Sequence, residues 1–122
     1  MSLYSKYGTN KEAETKGVAI KFDDVTFYVK RAGGQNREYA KCFAEKLQNA
    51  KELTPEKAEL ILAEIFAETI IVGWDNLEKD GKKIEFNKEA CIQLLLDLPD
   101  FAKELQQKVS DLRTFQVDDL KN

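Results

Sequence analysis

Thr54-Pro55-Glu56 opens the segment that most constrains how this chain can fold. Thr54 can cap a helix by accepting from its free amides, Pro55 stands where a missing N–H is no loss, and Glu56 lies near the positive helix end. Behind them Ala58, Ile61, Leu62, Ile65, Phe66, Thr69, Ile70 and Val72 recur at helical spacing. A stripe that broad belongs at the centre of a fold. The pattern predicts a long helix to about Val72, ended by Gly73.

The flanking sequence supplies what that helix packs on. Val18, Ile20 and Phe22 alternate with polar positions, Asp23-Asp24 intervene, and Val25, Phe27 and Val29 alternate again, which predicts a β-hairpin. Gly33 and Gly34 break the second strand, and Asn36 is placed to cap a helix over about 37–51 whose face is Tyr39, Phe43, Leu47 and Ala50. Residues 74–86 read as a loop with a tight turn at Asp80-Gly81 and a short extended stretch at 83–86. Asn87 caps an apolar helix through Cys91, Ile92 and Leu94 to Leu96. Pro99 ends that helix and starts another carrying Phe101, Leu105, Val109 and Leu112. The fold class is α+β and helix-dominated, an N-terminal β-hairpin followed by about four helices. Residues 1–16 lack an apolar period and read as a flexible tail, 17–113 as one globular domain, and 114–122 as a second flexible tail.

At 122 residues only one domain fits, with 43% hydrophobic residues to build its core. Nineteen basic against twenty-two acidic residues give a net charge of −3, which offers no counterion-release drive toward nucleic acid. The longest apolar runs fall far short of the ~20 residues that a membrane span needs, and 1–16 lack the apolar stretch of a secretory signal. The expectation is a cytoplasmic protein with neither nucleic acid nor membrane as a partner.

The chain contains no histidine. That removes the commonest general base and metal ligand, and with them Ser-His, Cys-His and His-based zinc arrangements. Glu56, Glu59, Glu64 and Glu68 on the long helix read as a solvated face, since a di-iron site wants Glu-x-x-His pairs. An EF-hand register from Asp75 fails at Leu77 and Lys79. Cys42 and Cys91 read as buried thiols without an activating neighbour. No catalytic residue, metal site or cofactor is expected, and the chain reads as a non-enzyme. Lys30-Arg31-Ala32-Gly33-Gly34-Gln35-Asn36-Arg37 has the setting of a phosphate site but lacks the phosphate-loop patterns. It reads as a plain strand-to-helix loop first, and as a contact for an anionic group on a partner protein second.

Five residues are candidates for partner binding: Trp74, Asp75 and Asn76, with Tyr28 and Lys30 on the exposed hairpin face. An aromatic beside polar groups is a common interface anchor, and a lone hairpin leaves strand edges open to pairing, self-association included. For Trp74 a core-capping role is the competing and favoured reading.

The stretch 66–101, FAETIIVGWDNLEKDGKKIEFNKEACIQLLLDLPDF, resembles the tail assembly chaperones of long-tailed phages and prophages. Three pieces carry the resemblance: Ile71-Val72-Gly73-Trp74-Asp75-Asn76, Asp80-Gly81 with Ile84 and Phe86, and Lys88-Glu89 followed by Leu94-Leu95 and Asp97-Leu98-Pro99-Asp100. The chain departs from the family pattern at Glu89-Ala90-Cys91 and at Leu96, where a polar residue is usual. The resemblance implies a chaperone that keeps the tape measure protein soluble, helps recruit major tail (tube) subunits, and leaves before the tail is complete. It would act in the host bacterial cytoplasm and be absent from the mature virion. Family genes often also yield a longer, frameshifted product. The alternative from another class is a structural tail or head completion protein retained in the virion.

Overall fold

The computed structural model describes residues 2–116. Two short helices, α1 (Leu3–Tyr7) and α2 (Lys11–Lys16), precede the hairpin strands β1 (Val18–Phe22) and β2 (Val25–Val29). Helices α3 (Arg37–Asn49) and α4 (Pro55–Thr69) follow, then strand β3 (Ile71–Asp75) and a miniature hairpin, β4 (Glu78–Lys79) with β5 (Lys82–Lys83). Helices α5 (Lys88–Asp97) and α6 (Pro99–Ser110) and a 3-10 turn at Leu112–Phe115 are the last elements among the described residues. The predicted class holds, a hairpin followed by four helices with helix dominant.

The local signals act as the sequence predicts at most element ends. Thr54 Oγ1 accepts from the Lys57 amide at 3.2 Å and Asn87 Oδ1 from the Ala90 amide at 2.8 Å. Asp23 takes a φ of 57° in the hairpin turn. Asp80 and Gly81, at 54° and 77°, supply the two left-handed residues that the second hairpin needs.

Three expectations change. Helix α4 stops at Thr69, and Ile71 to Asp75, Gly73 included, run as a strand antiparallel to β2, with Phe27 opposite Trp74 and Val29 opposite Ile71. The run Thr69-Ile70-Ile71-Val72 is β-branched throughout, and β2 offers it a free edge, so the strand wins. A bulge opposite Tyr28 and Val29 turns Val72 outward, 43% exposed. The hairpin is therefore not alone: β2 is the central strand of a sheet ordered β1-β2-β3.

Second, the segment 2–16 is not a loose tail. Asn10 caps α2 by accepting from the amides of Glu12 and Ala13, and Ala13 and Glu14 are buried. Order does not begin at Gly17. The chain's other end reaches back to this segment: Asn10 N–H donates to Phe115 O, and Gln116 Nε2 donates to the carbonyls of Lys6 and Gly8, each at 2.9 Å. Phe115 is fully buried, so 114–116 do not form the predicted flexible tail, and its residues 117–122 lie outside those described.

Third, Asn36 caps nothing. It is buried, and its amide nitrogen donates to Arg31 O at 2.8 Å and Thr69 O at 3.0 Å, tying the β2–α3 loop to the end of α4.

One core lies between the inner sheet face and the helices. Phe27, Val29, Ile71 and Trp74 meet Phe66 and Ile70 of α4, Cys91 and Leu95 of α5, and Leu105 and Val109 of α6. Phe101 wedges between Phe22 and Phe27, at ring separations of 4.9 and 5.1 Å. Such ring pairs add about 0.5–1.5 kcal/mol each beyond their burial. Among the described residues no helix is long and apolar enough to cross a membrane.

Candidate interaction surfaces

Strand alternation divides the five predicted contact residues. Trp74 points inward, 7% exposed, with its ring against Phe27 and Phe86 and its indole N–H donating to Ile84 O at 2.7 Å. It is the core cap, and an interface could reach it only through its neighbours. Tyr28, opposite Gly73, and Asp75 share the outer sheet face, where the Tyr28 hydroxyl donates to Asp75 Oδ2 at 2.5 Å. That bond and the Asp75 charge hold the phenol above its usual pKa. Asn76, at a φ of 67°, extends the patch by donating to Asp24 O at 3.3 Å. Lys30 stands apart, its amide donating to Ile70 O and its ammonium 4.0 Å from Glu38.

The glycine loop ahead of α3 holds an anion, and the anion is the chain's own. Glu14, 2% exposed, accepts from Arg31 Nη1 at 2.9 Å, from the Gln35 amide at 3.1 Å and from the Thr9 hydroxyl. Burial alone would push this carboxyl up. The hydrogen bonds from Thr9, Arg31 and Gln35 outweigh it and hold the group below the usual glutamate range. Gly34, at a φ of 55°, leaves no space there, since a Cβ on it would fall 1.7 Å from Glu14 Oε2. The setting of an anion site was legible in the sequence. Its occupant was not, because 1–16 show no apolar period.

The carboxylates of α4 divide too. Glu68 accepts from Lys88 and from Cys42 Sγ, and Lys46 lies 3.6 Å from it and 4.0 Å from Glu64. The Lys88 and Cys42 bonds depress the Glu68 carboxyl. Burial first, then the Glu68 contact, pushes the Cys42 thiol up to about 11, and burial pushes Cys91 up to about 12. Both thiols are free and protonated at neutral pH, though Cys42 is only partly buried. Among the described residues no cluster of acidic and cysteine side chains is placed to hold a metal ion.

Sequence reasoning missed one apolar groove of the surface. A groove of about 170 Å³ runs between α4, which contributes Glu59, Leu62, Ala63 and Phe66, and the α5–α6 corner with the first two turns of α6. Leu96, the departure noted in the sequence, is 37% exposed on this corner, so the extra leucine adds to the exposed apolar surface and not to the buried core. Phe66 also makes a ring contact with Tyr39 of α3, which in turn packs on the exposed Phe43. The i, i+3, i+7 spacing of Glu59, Leu62 and Phe66 could have pointed to it, but the same spacing also describes a core face.

Residues 29–122 match the protein family described as YdaY prophage protein. The match takes in the last residue of β2, the glycine loop and every element after it, including both walls of the groove. No curated protein and no solved structure matches the chain.

Proposed function

The chain belongs to the YdaY prophage protein family, and on that premise we propose that it is a non-catalytic tail assembly chaperone, one that binds the tape measure protein and helps recruit tail tube subunits. The observation that carries this reading is where the chaperone-like stretch 66–101 lies. It falls within the region matched to the prophage family, and it supplies Phe66 and the corner residues Leu95, Leu96 and Pro99 of the exposed apolar groove. Apolar surface ringed by charge suits a protein that shields another chain and then releases it.

Of the pieces that carry the resemblance, the α5–α6 corner lines the groove, and the others are structural parts elsewhere in the fold. Ile71 to Asp75 form β3, Asp80-Gly81 turn the miniature hairpin, and Asp97-Leu98-Pro99 make the α5–α6 corner. The missing histidines support a binding role over an enzymatic one. Action in the host cytoplasm belongs to the same reading.

Induction of the prophage, followed by mass spectrometry of lysate and purified particles, tests it. The protein should be present in lysate and absent from particles. Its presence in finished particles at a fixed copy number would instead establish a structural tail or head completion protein.

A further inference from the structure

We propose that the loop 31–35 is a recognition site for a glutamate at the end of a partner protein's helix, and that the segment 2–16 fills it in cis as a displaceable strap. This assignment stands apart from the chaperone reading above.

The strap shows what the site takes, because one residue is gripped at two points. Arg31 N–H donates to the main-chain carbonyl of Glu14 at 3.1 Å, while Arg31 Nη1 at 2.9 Å and the Gln35 amide at 3.1 Å hold its carboxylate. A free anion offers only the second half of that contact, so the ligand is a glutamate within a peptide chain. Ala13 is fully buried, and in a close-packed interior the position before the glutamate takes a small side chain. Helix α2 carries this Ala13-Glu14 pair in its last turn and closes at Gly17, whose N–H donates to Ala13 O at 3.0 Å. The recognised element is thus a helix end bearing a small residue followed by glutamate.

Three observations mark the occupant as exchangeable. Glu14 leaves the grip unfinished, since Arg31 Nε is buried without an acceptor and remains for a partner to satisfy. The strap is thinly held outside the site. Helix α1 buries no residue and turns Leu3, Tyr4 and Tyr7 to solvent, and a terminal segment with so little buried surface opens locally at low cost. The family match begins at Val29, so Arg31, Gly34 and Gln35 belong to the matched region and Glu14 does not. The receptor is part of the family domain, whereas its occupant is an addition to it.

NMR titration of the full chain carrying Glu14→Ala tests the assignment, with Arg31 and Gln35 intact and the Gln35 amide as reporter. The probe is a capped synthetic peptide of residues 9–17, TNKEAETKG. The variant should show a saturable shift of the Gln35 amide, and the same peptide with Glu14→Ala should bind at least tenfold more weakly. Wild-type protein should also bind the peptide at least tenfold more weakly, because its own strap competes at an effective concentration of roughly millimolar. Where Glu14→Ala does not fold, Glu14→Gln carries the same titration, since an amide is held less strongly than a carboxylate by the same donors. No saturable shift, or equal binding of both peptides, would overturn the site. Acetate binding as tightly as the peptide would reduce it to a simple anion pocket and overturn the recognition of a helix end. Equal binding by wild type and variant would overturn the strap. A wild-type dimer in light scattering that Glu14→Gln makes monomeric would give the site to a second copy, against the proposal.

Discussion

The Glu14 carboxylate and the Arg31 guanidinium, seventeen residues apart, meet at 2.9 Å inside a loop where Gly34 leaves room for nothing but that carboxylate. The contact ties the N-terminal segment to the sheet. The Arg31 backbone N–H adds a bond to Glu14 O at 3.1 Å, while α1 buries no residue and α2 buries only Ala13 and Glu14. The Nε of Arg31 is buried without an acceptor, so the arginine depends on Glu14 for what compensation it has.

Glu14→Gln should therefore loosen the segment 2–16 selectively. Amides of α2 lose hydrogen-exchange protection while α4 keeps its own, and urea titration shows a loss of about 1–3 kcal/mol, the range for a buried polar group deprived of its partner. The pH dependence has a definite sign. A carboxyl held below its unfolded value contributes stability that is complete above that value and lost as pH falls through the lower folded one. Stability should fall away below about pH 4 in wild type, with a weaker decline in Glu14→Gln.

Gly34→Ala should reproduce the same loosening by a different route. The left-handed backbone at this position strains any side chain, and the new Cβ occupies the site of Glu14 Oε2. Because both changes eject one carboxylate, their effects on α2 protection should be far from additive in the double variant.

Asn36→Ala should destabilise the whole domain by about 1–3 kcal/mol, since it strands the buried carbonyl of Thr69 and the part-buried one of Arg31. Asn36→Ser, a good capping residue, should not restore the loss. A helix cap would tolerate that exchange, as Thr54→Ser should, with thermal melts distinguishing the two sites.

Trp74→Ala should cost about 3–5 kcal/mol, as large aromatic truncations in cores do. Any accompanying loss of binding then reflects unfolding. Tyr28→Phe removes only the bond to Asp75 on an exposed face and should leave the urea midpoint nearly unchanged. Tyr28 and Asp75 are thus the positions from which the outer sheet face can be mapped.

Features set by neighbouring residues were readable in the sequence. The hairpin turn at Asp23-Asp24, the Thr54 and Asn87 caps and the Pro99 corner each depend on a few adjacent positions. Contacts distant in sequence decided the rest. Helix periodicity alone extends α4 to Val72, but pairing with a strand more than forty residues earlier converts its end to β3 and carries Trp74 to the inner face, away from Asp75. Asn36 has a capping residue's identity, yet the end of α4 claims its amide. Helix α2 looks like a polar tail because a carboxylate in a distant cradle holds it, and hydrophobic periodicity does not register such an anchor.

The most direct measurement is the solubility of the tape measure protein expressed with and without this chain in the same cells. A chaperone should move the tape measure protein from the pellet to the soluble fraction and co-purify with it at a defined ratio. An insoluble tape measure protein in both cases, with no co-purification, would contradict the chaperone function and leave the prophage family and the fold as all that stands.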